Sequence, residues 1–209
     1  MIWIISIFIF LSASSYLIAY HLRNSFWVYT FKPGTILLMI LMVSFGTEEL
    51  THESTWIIIG LIFSLSGDIF LMIPKNKFLE GLVSFLIAHL CYIIAFTQGL
   101  TNLSFEWNVG IPFFAVGILY YAYLLKSLKQ EKNIVLQVGV FVYIVVICFM
   151  GVYSFSTGSQ LAIIGSIIFL LSDAILALNK FAKPFQTAQY YVMITYYAAQ
   201  YLISLSVLA

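Results

Sequence analysis

The chain has 209 residues, of which 63% are hydrophobic and only 8% are charged. The surface of a soluble domain needs a much larger share of charged side chains, so this composition excludes a soluble globular protein and indicates a polytopic membrane protein. The formal net charge of +1 gives no reason to expect a nucleic-acid partner.

Eight apolar segments are long enough, or nearly so, to cross about 30 Å of hydrocarbon at about 1.5 Å per residue. We therefore predict an all-α fold, a single integral membrane domain over residues 1–209 with eight transmembrane helices. The predicted spans are approximately residues 2–20, 33–47, 56–73, 79–98, 109–126, 134–153, 160–178 and 188–207. The first span has no basic segment before it and is too long for the core of a signal peptide, so we expect it to be retained. The second is the weakest, but Lys32-Pro33 suits the first turn of a helix, where the missing proline N–H is harmless.

The basic residues predict how the helices are oriented. All nine lie in or beside the odd-numbered connections between spans: Arg23, Lys32, Lys75, Lys77, Lys126, Lys129, Lys132, Lys180 and Lys183. Because basic connections stay in the cytoplasm, we expect the odd connections inside and both termini outside. The abundance of isoleucine and the excess of lysine over arginine are compatible with a bacterial inner membrane.

Two aspartates lie near the ends of apolar runs, Asp68 on the third span and Asp173 on the seventh. Each is expected roughly 8 Å beneath the cytoplasmic face. A carboxylate in hydrocarbon costs roughly 2.5–3.5 kcal/mol on insertion scales, so intramembrane acids are candidates for function. Their matching settings predict one shared site and hint at a parallel repeat of four helices.

A lysine follows each aspartate seven residues later, Lys75 after Asp68 and Lys180 after Asp173. Residues seven apart lie on nearly the same helical stripe, so each lysine is expected to reach the headgroup layer above its carboxylate. This arrangement suits an anionic amphiphile whose phosphate is bound by Lys32, Lys75 and Lys180. The alternative is structural: each aspartate only bonds a neighbouring helix or pairs with its lysine.

Polar residues on the fourth and eighth spans complete the candidate site. His89 and Tyr92 lie one turn apart near the membrane midplane, and Tyr196 and Gln200 share a stripe of the last span. We expect these four to orient water or a hydroxyl group of the substrate. A buried histidine taken alone is more often a hydrogen-bonded contact between helices.

Other kinds of site are disfavoured. His21, His52 and His89 fall at different depths, so they cannot converge on one zinc ion. The acidic cluster at residues 48–53 lies in a short outer connection and is better explained as a solvated loop. The serines near the N-terminus lack a Gly-x-Ser-x-Gly motif and a nearby histidine base, which argues against a serine lipase.

Several motifs resemble those of the YhhN family, which contains the lysoplasmalogenases. They are Lys32-Pro33, Ser66-Gly67-Asp68, the run from Phe78 to Tyr92 that includes His89, the run from Leu171 to Phe181 that includes Asp173 and Asn179, and the segment Thr195 to Gln200. The similarity extends from about residue 32 to the C-terminus.

The resemblance implies a membrane hydrolase with eight helices that cleaves the vinyl ether bond of a lysoplasmalogen. The products would be a fatty aldehyde and glycerophospho-ethanolamine or -choline. The resemblance also implies that the paired acids of the family are Asp68 and Asp173, with Asn179 among the residues that contact the lysophospholipid.

Vinyl ether hydrolysis proceeds by protonation of the carbon β to oxygen, followed by capture of the oxocarbenium ion by water. It needs one protonated carboxylic acid and one carboxylate, a division that two acids in one apolar pocket can supply. Asp173 is our choice as the proton donor. We predict no metal ion and no organic cofactor for this chemistry.

A transporter is the alternative from another class, because paired acids can relay protons through a helical bundle. Against it, both acids lie near one face, and only His89 and Gln200 mark the other half of a path. Release of an aldehyde from a lysoplasmalogen would favour the hydrolase, and flux into proteoliposomes would favour the transporter.

Overall fold

A computed structural model describes residues 1–47, 49–73, 77–98 and 105–208. Within these ranges the chain forms eight α-helices, one π-helical turn and no β-strand, which confirms the predicted all-α fold. The elements are α1 (Ile2–His21), α2 (Ser25–Gly46), α3 (His52–Met72), α4 (Phe78–Thr97), α5 (Trp107–Gln130), α6 (Ile134–Ser156), α7 (Gln160–Ala177), the π-helical turn (Leu178–Ala182) and α8 (Ala188–Leu205). Lys75, a predicted ligand of the phosphate group, lies outside the described residues.

Seven of these eight helices are long and apolar enough to cross a membrane, with mean hydropathy between 1.6 and 2.6 in their most apolar windows. The exception is α8, whose Tyr196, Tyr197 and Gln200 are buried inside the bundle. Large apolar side chains such as Trp3 and Leu119 are exposed on the outside. Polar groups inside and apolar groups outside are what a lipid environment requires, so the fold is a polytopic helical membrane bundle.

The start of the second helix differs from the prediction. Helix α2 begins at Ser25, where the Asn24 side chain accepts a hydrogen bond from the backbone N–H of Trp27, and Pro33 lies in the helix interior. The prediction placed Pro33 in the first turn because proline is favoured there, but Pro33 removes only one N–H donor from an otherwise continuous helix. Membrane helices tolerate such a proline, and the earlier start brings Lys32 into the bundle.

Glycines allow α3 to pack closely against α4. A Cβ atom added at Gly60 would lie 2.3 Å from the Tyr92 ring, and one added at Gly67 would lie 2.6 Å from the Phe85 ring. Gly165 has the same role between α7 and α8, since an added Cβ would lie 2.9 Å from Ile203. Small residues of this kind bring helix backbones together where burial from lipid gives little driving force.

The connections α1–α2, α3–α4, α5–α6 and α7–α8 lie at one end of the bundle, which we call the basic end. Its described residues include the basic side chains Arg23, Lys77, Lys129, Lys132 and Lys183. Asp68 and Asp173 each lie four residues before the last residue of their helices, Met72 and Ala177. At about 1.5 Å per residue, each acid lies about 6 Å from the end of its own α-helix, and the π-helical turn then continues α7 to Ala182. The assignment of the basic end to the cytoplasm stays a prediction.

Candidate active site

The Asp68 carboxylate on α3 is buried, and each of its two oxygens has a partner. Its Oδ1 lies 3.0 Å from the Nζ of Lys32, and its Oδ2 accepts a 2.9 Å hydrogen bond from the hydroxyl of Tyr196. The side chains of Lys32 and Asp68 are only 6% and 2% exposed. A buried charge needs a partner of opposite sign, so the contact between Lys32 and Asp68 offsets the cost of burying each of them. The predicted phosphate ligand Lys32 is therefore an ion-pair partner of Asp68.

The Asp173 carboxyl group on α7 has different partners. The Tyr143 hydroxyl donates to its Oδ2 at 2.6 Å, and the His89 Nε2 lies 3.2 Å from the same oxygen. The His89 Nε2 also lies 2.8 Å from the Tyr143 hydroxyl. The Asp173 side chain is 16% exposed, and neither of these contacts involves its Oδ1. Asp173 is the more accessible of the two acids.

The hydrogen-bond network assigns the tautomer of His89. Its Nδ1 is buried and has no hydrogen-bond partner among the described residues. A bare acceptor nitrogen costs less to bury without a partner than an N–H donor does. The proton therefore sits on Nε2, where it is donated toward Asp173 or the Tyr143 hydroxyl.

Both aspartates line one cavity of about 1250 Å³ at the basic end of the bundle. Four more of the predicted site residues line the same cavity: Lys32, Asn179, Lys180 and Tyr196. Lys180 and Asn179 lie on the π-helical turn, where Lys180 stacks over the Phe78 ring at 5.3 Å and Asn179 Oδ1 accepts a hydrogen bond from the Phe185 backbone N–H. Single π-helical turns often occur at functional sites. The cavity thus combines two acids with basic side chains and could hold an anionic amphiphile.

Three predicted site residues, His89, Tyr92 and Gln200, do not line this cavity, and their contact with the substrate stays a prediction. His89 reaches the site only through Asp173 and Tyr143. The Tyr92 hydroxyl donates a 2.6 Å hydrogen bond to Gln200 Oε1, deeper in the bundle. Helical spacing placed these residues on neighbouring positions of α4 and α8. It did not predict which of them face the cavity, because that depends on the close packing of the helices at Gly60.

Sequence reasoning missed Tyr143, Arg23 and Lys77. Tyr143 is one of 14 tyrosines and carries no distinguishing motif, so only its contact with Asp173 reveals it. Arg23 and Lys77 line the cavity mouth. From the sequence, both residues predicted only the orientation of the helices. Both lie in connections at the same end as the aspartates, and this signal could have identified them as site residues.

Comparison with known proteins agrees with the predicted resemblance. Lysoplasmalogenase TMEM86A of Bos taurus is 36% identical over 170 residues, which cover 75% of this chain and 67% of that protein. Lysoplasmalogenase TMEM86B of Sus scrofa is 37% identical over 148 residues, which cover 71% of this chain and 61% of that protein. A relative named uncharacterized membrane protein YhhN, from Escherichia coli O157:H7, is 30% identical over 106 residues, which cover 51% of this chain and 49% of that protein.

No solved structure matches the chain. The model of the YhhN family matches residues 27–207, a range that includes Asp68 and Asp173 but not Arg23. The chain therefore belongs to the YhhN family.

Proposed function

We propose that this chain is a membrane hydrolase that cleaves the vinyl ether bond of lysoplasmalogens. The products are a fatty aldehyde and glycerophospho-ethanolamine or -choline. The observation that carries the proposal is that Asp68 and Asp173, from separate helices, line one cavity at the basic end. The relatives named lysoplasmalogenases support the choice of substrate.

The basic rim of the cavity suits the phosphate group of the substrate. Arg23, Lys77 and Lys180 line the cavity and are free of the ion pair that holds Lys32. Lys77 is 2.5 Å from Glu80, with both side chains partly exposed, so that pair is weak and a phosphate competes for it. Arg23 and Lys180 are therefore the principal ligands of the phosphate in this proposal.

Asp173 is the proton donor of the proposed reaction, because it lines the cavity and the contacts with Tyr143 and His89 involve only its Oδ2. The acid transfers its proton to the β carbon of the vinyl ether, and the electron pair of the double bond forms the new C–H bond. The positive charge then lies on the oxocarbenium unit, near the ionised Asp173.

Water adds to the carbon of the oxocarbenium unit and returns a proton to Asp173, which gives a hemiacetal. The hemiacetal loses its hydroxyl proton as the C–O bond to glycerol breaks, and the leaving oxygen takes up a proton. One water is consumed for each aldehyde released. Asp68, held ionised by Lys32, supplies negative charge to the cavity throughout and stabilises the cation.

The test compares aldehyde release by the wild type, Asp173→Asn and Glu131→Gln in detergent or liposomes. The amide of Asp173→Asn can still accept the Tyr143 hydrogen bond, so the fold is kept while the transferable proton is lost. We expect turnover to fall by about 10²–10⁴-fold, the usual contribution of a general acid. Glu131→Gln makes the same chemical change at an exposed position of the same end that does not line the cavity, and we expect unchanged turnover.

Near-normal aldehyde release by a folded Asp173→Asn protein would remove this acid from the mechanism. A wild-type protein that releases no aldehyde from any lysoplasmalogen, but carries a solute into proteoliposomes, would favour the transporter.

A further inference from the structure

A second cavity, of about 420 Å³, adjoins the first and lies between α4, α5, α6 and α7. We call it the chain groove, and it is bounded by Val116 on α5, Ile144 and Cys148 on α6, and Ile167 and Leu171 on α7. Its volume lies within the range of about 300–1,000 Å³ that is typical of ligand pockets. The proposed mechanism does not use this cavity.

The chain groove offers an occupant almost no hydrogen bonds. Apart from Asp173, its polar side chains are Tyr120, Tyr143 and Cys148. Each is already committed: the Tyr120 hydroxyl donates to the Ala174 carbonyl, the Tyr143 hydroxyl to Asp173, and the Cys148 thiol to the Phe113 carbonyl at 3.4 Å. The remaining lining is aliphatic or aromatic, so the chemistry of the groove fits a hydrocarbon chain.

The chain groove is continuous with the polar cavity. Five residues line both cavities: Leu71, Phe78, Phe85, Asp173 and Leu176. Among these five, Asp173 alone is ionisable. A molecule that is polar at one end and apolar at the other would therefore place its junction beside the Asp173 carboxyl group.

The groove also opens to the membrane. Three residues that line the groove, Val116 on α5 and Ile167 and Leu171 on α7, are 59%, 45% and 50% exposed on the apolar outer surface. Along α7 the groove extends from Ile167 to Ala177, which is about 15 Å at the rise of an α-helix. That is about half of the 30 Å hydrocarbon thickness, hence the depth of one leaflet.

We infer that the chain groove holds the single aliphatic chain of the lipid substrate, with the ether junction at Asp173 and the glycerophosphate group in the polar cavity. This inference rests on the proposed function. The chain enters sideways from the leaflet at the basic end, through the opening between α5 and α7. Ile167, about 9 Å along the helix from Asp173, marks the far end of the groove, where the chain leaves it.

The groove contributes selection by shape rather than affinity. A chain that moves from the bilayer into an apolar groove exchanges one hydrocarbon environment for another, so burial gives little driving force. The groove instead holds the reacting bond at a fixed position relative to Asp173, and it excludes aliphatic chains that do not fit by steric clash.

Two isoleucines of α7 provide a matched test. Ile167 and Ile164 are 45% and 47% exposed, but only Ile167 lines the groove. Ile167→Trp would close the far end, whereas Ile164→Trp adds the same ring to the lipid-facing surface. Turnover of lysoplasmalogens with alkenyl chains of increasing length is measured for both variants and the wild type.

We expect Ile167→Trp to lower the ratio of long-chain to short-chain turnover by about tenfold or more, the size of discrimination that steric fit in an apolar pocket provides. Ile164→Trp should leave that ratio at the wild-type value. An unchanged ratio in a folded Ile167→Trp protein would overturn the inference and leave the proposed hydrolysis untouched.

A second measurement does not depend on turnover. A saturated 1-alkyl lysophospholipid, which carries no vinyl ether bond, is cross-linked to the wild type through a photoreactive diazirine in the part of its chain nearest the ether oxygen. Peptide mapping should find the label on the groove segments of α5, α6 and α7, and excess unlabelled lysophospholipid should compete it away. Uniform labelling of the lipid-facing surface, including the region of Ile164, would overturn the inference that the chain groove holds the aliphatic chain. Specific labelling together with absent hydrolysis would contradict only the proposed reaction.

Discussion

Asp68 and Asp173 occupy equivalent places on their helices, but their partners give them different chemical characters. Asp68 is held by the cationic Lys32, whereas Asp173 is held by Tyr143 and His89. The cation stabilises the ionised form of Asp68. Hydrogen bonds from neutral donors to one oxygen of Asp173 leave its second oxygen available for a proton. This difference supports the proposal in which Asp68 supplies a fixed charge and Asp173 the proton.

Asp68→Asn is therefore expected to destabilise the fold as well as the reaction. The substitution leaves Lys32 buried without a counter-ion, which costs about 3–5 kcal/mol when one member of a buried pair is lost. We expect a lower melting temperature in detergent and a loss of aldehyde release. This differs from Asp173→Asn, which should lose only activity.

The double variant Lys32→Met with Asp68→Asn separates the two effects. It removes the uncompensated charge, so thermal stability should recover, as replacement of a whole buried pair by neutral groups often allows. Activity should stay low because the negative charge in the cavity is still absent. Recovery of activity together with stability would show that Asp68 has only a structural role.

Tyr143 is expected to position the carboxyl group of Asp173. Tyr143→Phe removes the 2.6 Å hydrogen bond and leaves the ring in place, at a cost to stability of about 1 kcal/mol. We expect kcat to fall by about tenfold or more with little change in KM, and the pH profile of kcat to shift because Asp173 has lost a donor. A purely structural role would leave the pH profile unchanged.

Tyr153→Phe is the matched control for Tyr143→Phe. Tyr153 lies on the same helix, and its hydroxyl makes no hydrogen bond within the part of the chain that the structure describes. We expect wild-type kcat and pH profile for this variant. A similar loss of kcat in both variants would show that it comes from a general disturbance of α6 and not from the missing hydroxyl of Tyr143.

At the scale of helices, the close packing of α3 on α4 positions Asp68. Gly67 directly precedes Asp68, and a Cβ atom there would lie 2.6 Å from the Phe85 ring. Gly67→Ala must therefore displace the Phe85 ring or the helix that carries it, which costs about 1–3 kcal/mol by overpacking. We expect a lower melting temperature and reduced turnover, because the Asp68 carboxylate moves with its helix.

Gly34→Ala is the corresponding control on α2. Its nearest contact would be the Ser12 hydroxyl at 4.0 Å, which is an ordinary van der Waals distance. Alanine favours a helix by up to about 1 kcal/mol over glycine, so equal or higher stability and unchanged turnover are expected. Equal behaviour of the two variants would contradict the role assigned to the α3–α4 contact.

The fold and the site show which features the sequence predicts and which it does not. Apolar length and the basic connections predicted the eight helices, because the bilayer fixes span length and excludes charge. The cost of burying an acid identified Asp68 and Asp173. The pairing of Asp68 with Lys32 was missed, since the local preference of Pro33 for a first turn suggested a later start of α2. Rotation of each helix about its axis, which places Gln200 behind the cavity wall, depends on packing that the sequence pattern does not record.

At the scale of the whole molecule, a shift by four helices relates the surroundings of the two acids. Asp68 on α3 is held by Lys32 from α2 and Tyr196 from α8. Asp173 on α7 is held by Tyr143 from α6 and His89 from α4. The contacts of α8 with α2 and of α4 with α6 are related in the same way. This correspondence supports the repeat at which the sequence hinted.

The orientation of this bundle decides which leaflet supplies the substrate, and labelling of engineered cysteines can measure it. The native Cys91 and Cys148 are buried and free, so the background reaction should be low. Glu131→Cys places a thiol at the basic end and Gln160→Cys places one at the opposite end, both at exposed positions. With an impermeant maleimide on intact bacterial cells that express the protein, we expect labelling of Gln160→Cys alone, because basic connections stay in the cytoplasm. Glu131→Cys should react after the cells are permeabilised. The reverse pattern would place the two-aspartate cavity at the outer leaflet and would require the lysophospholipid to reach it from outside.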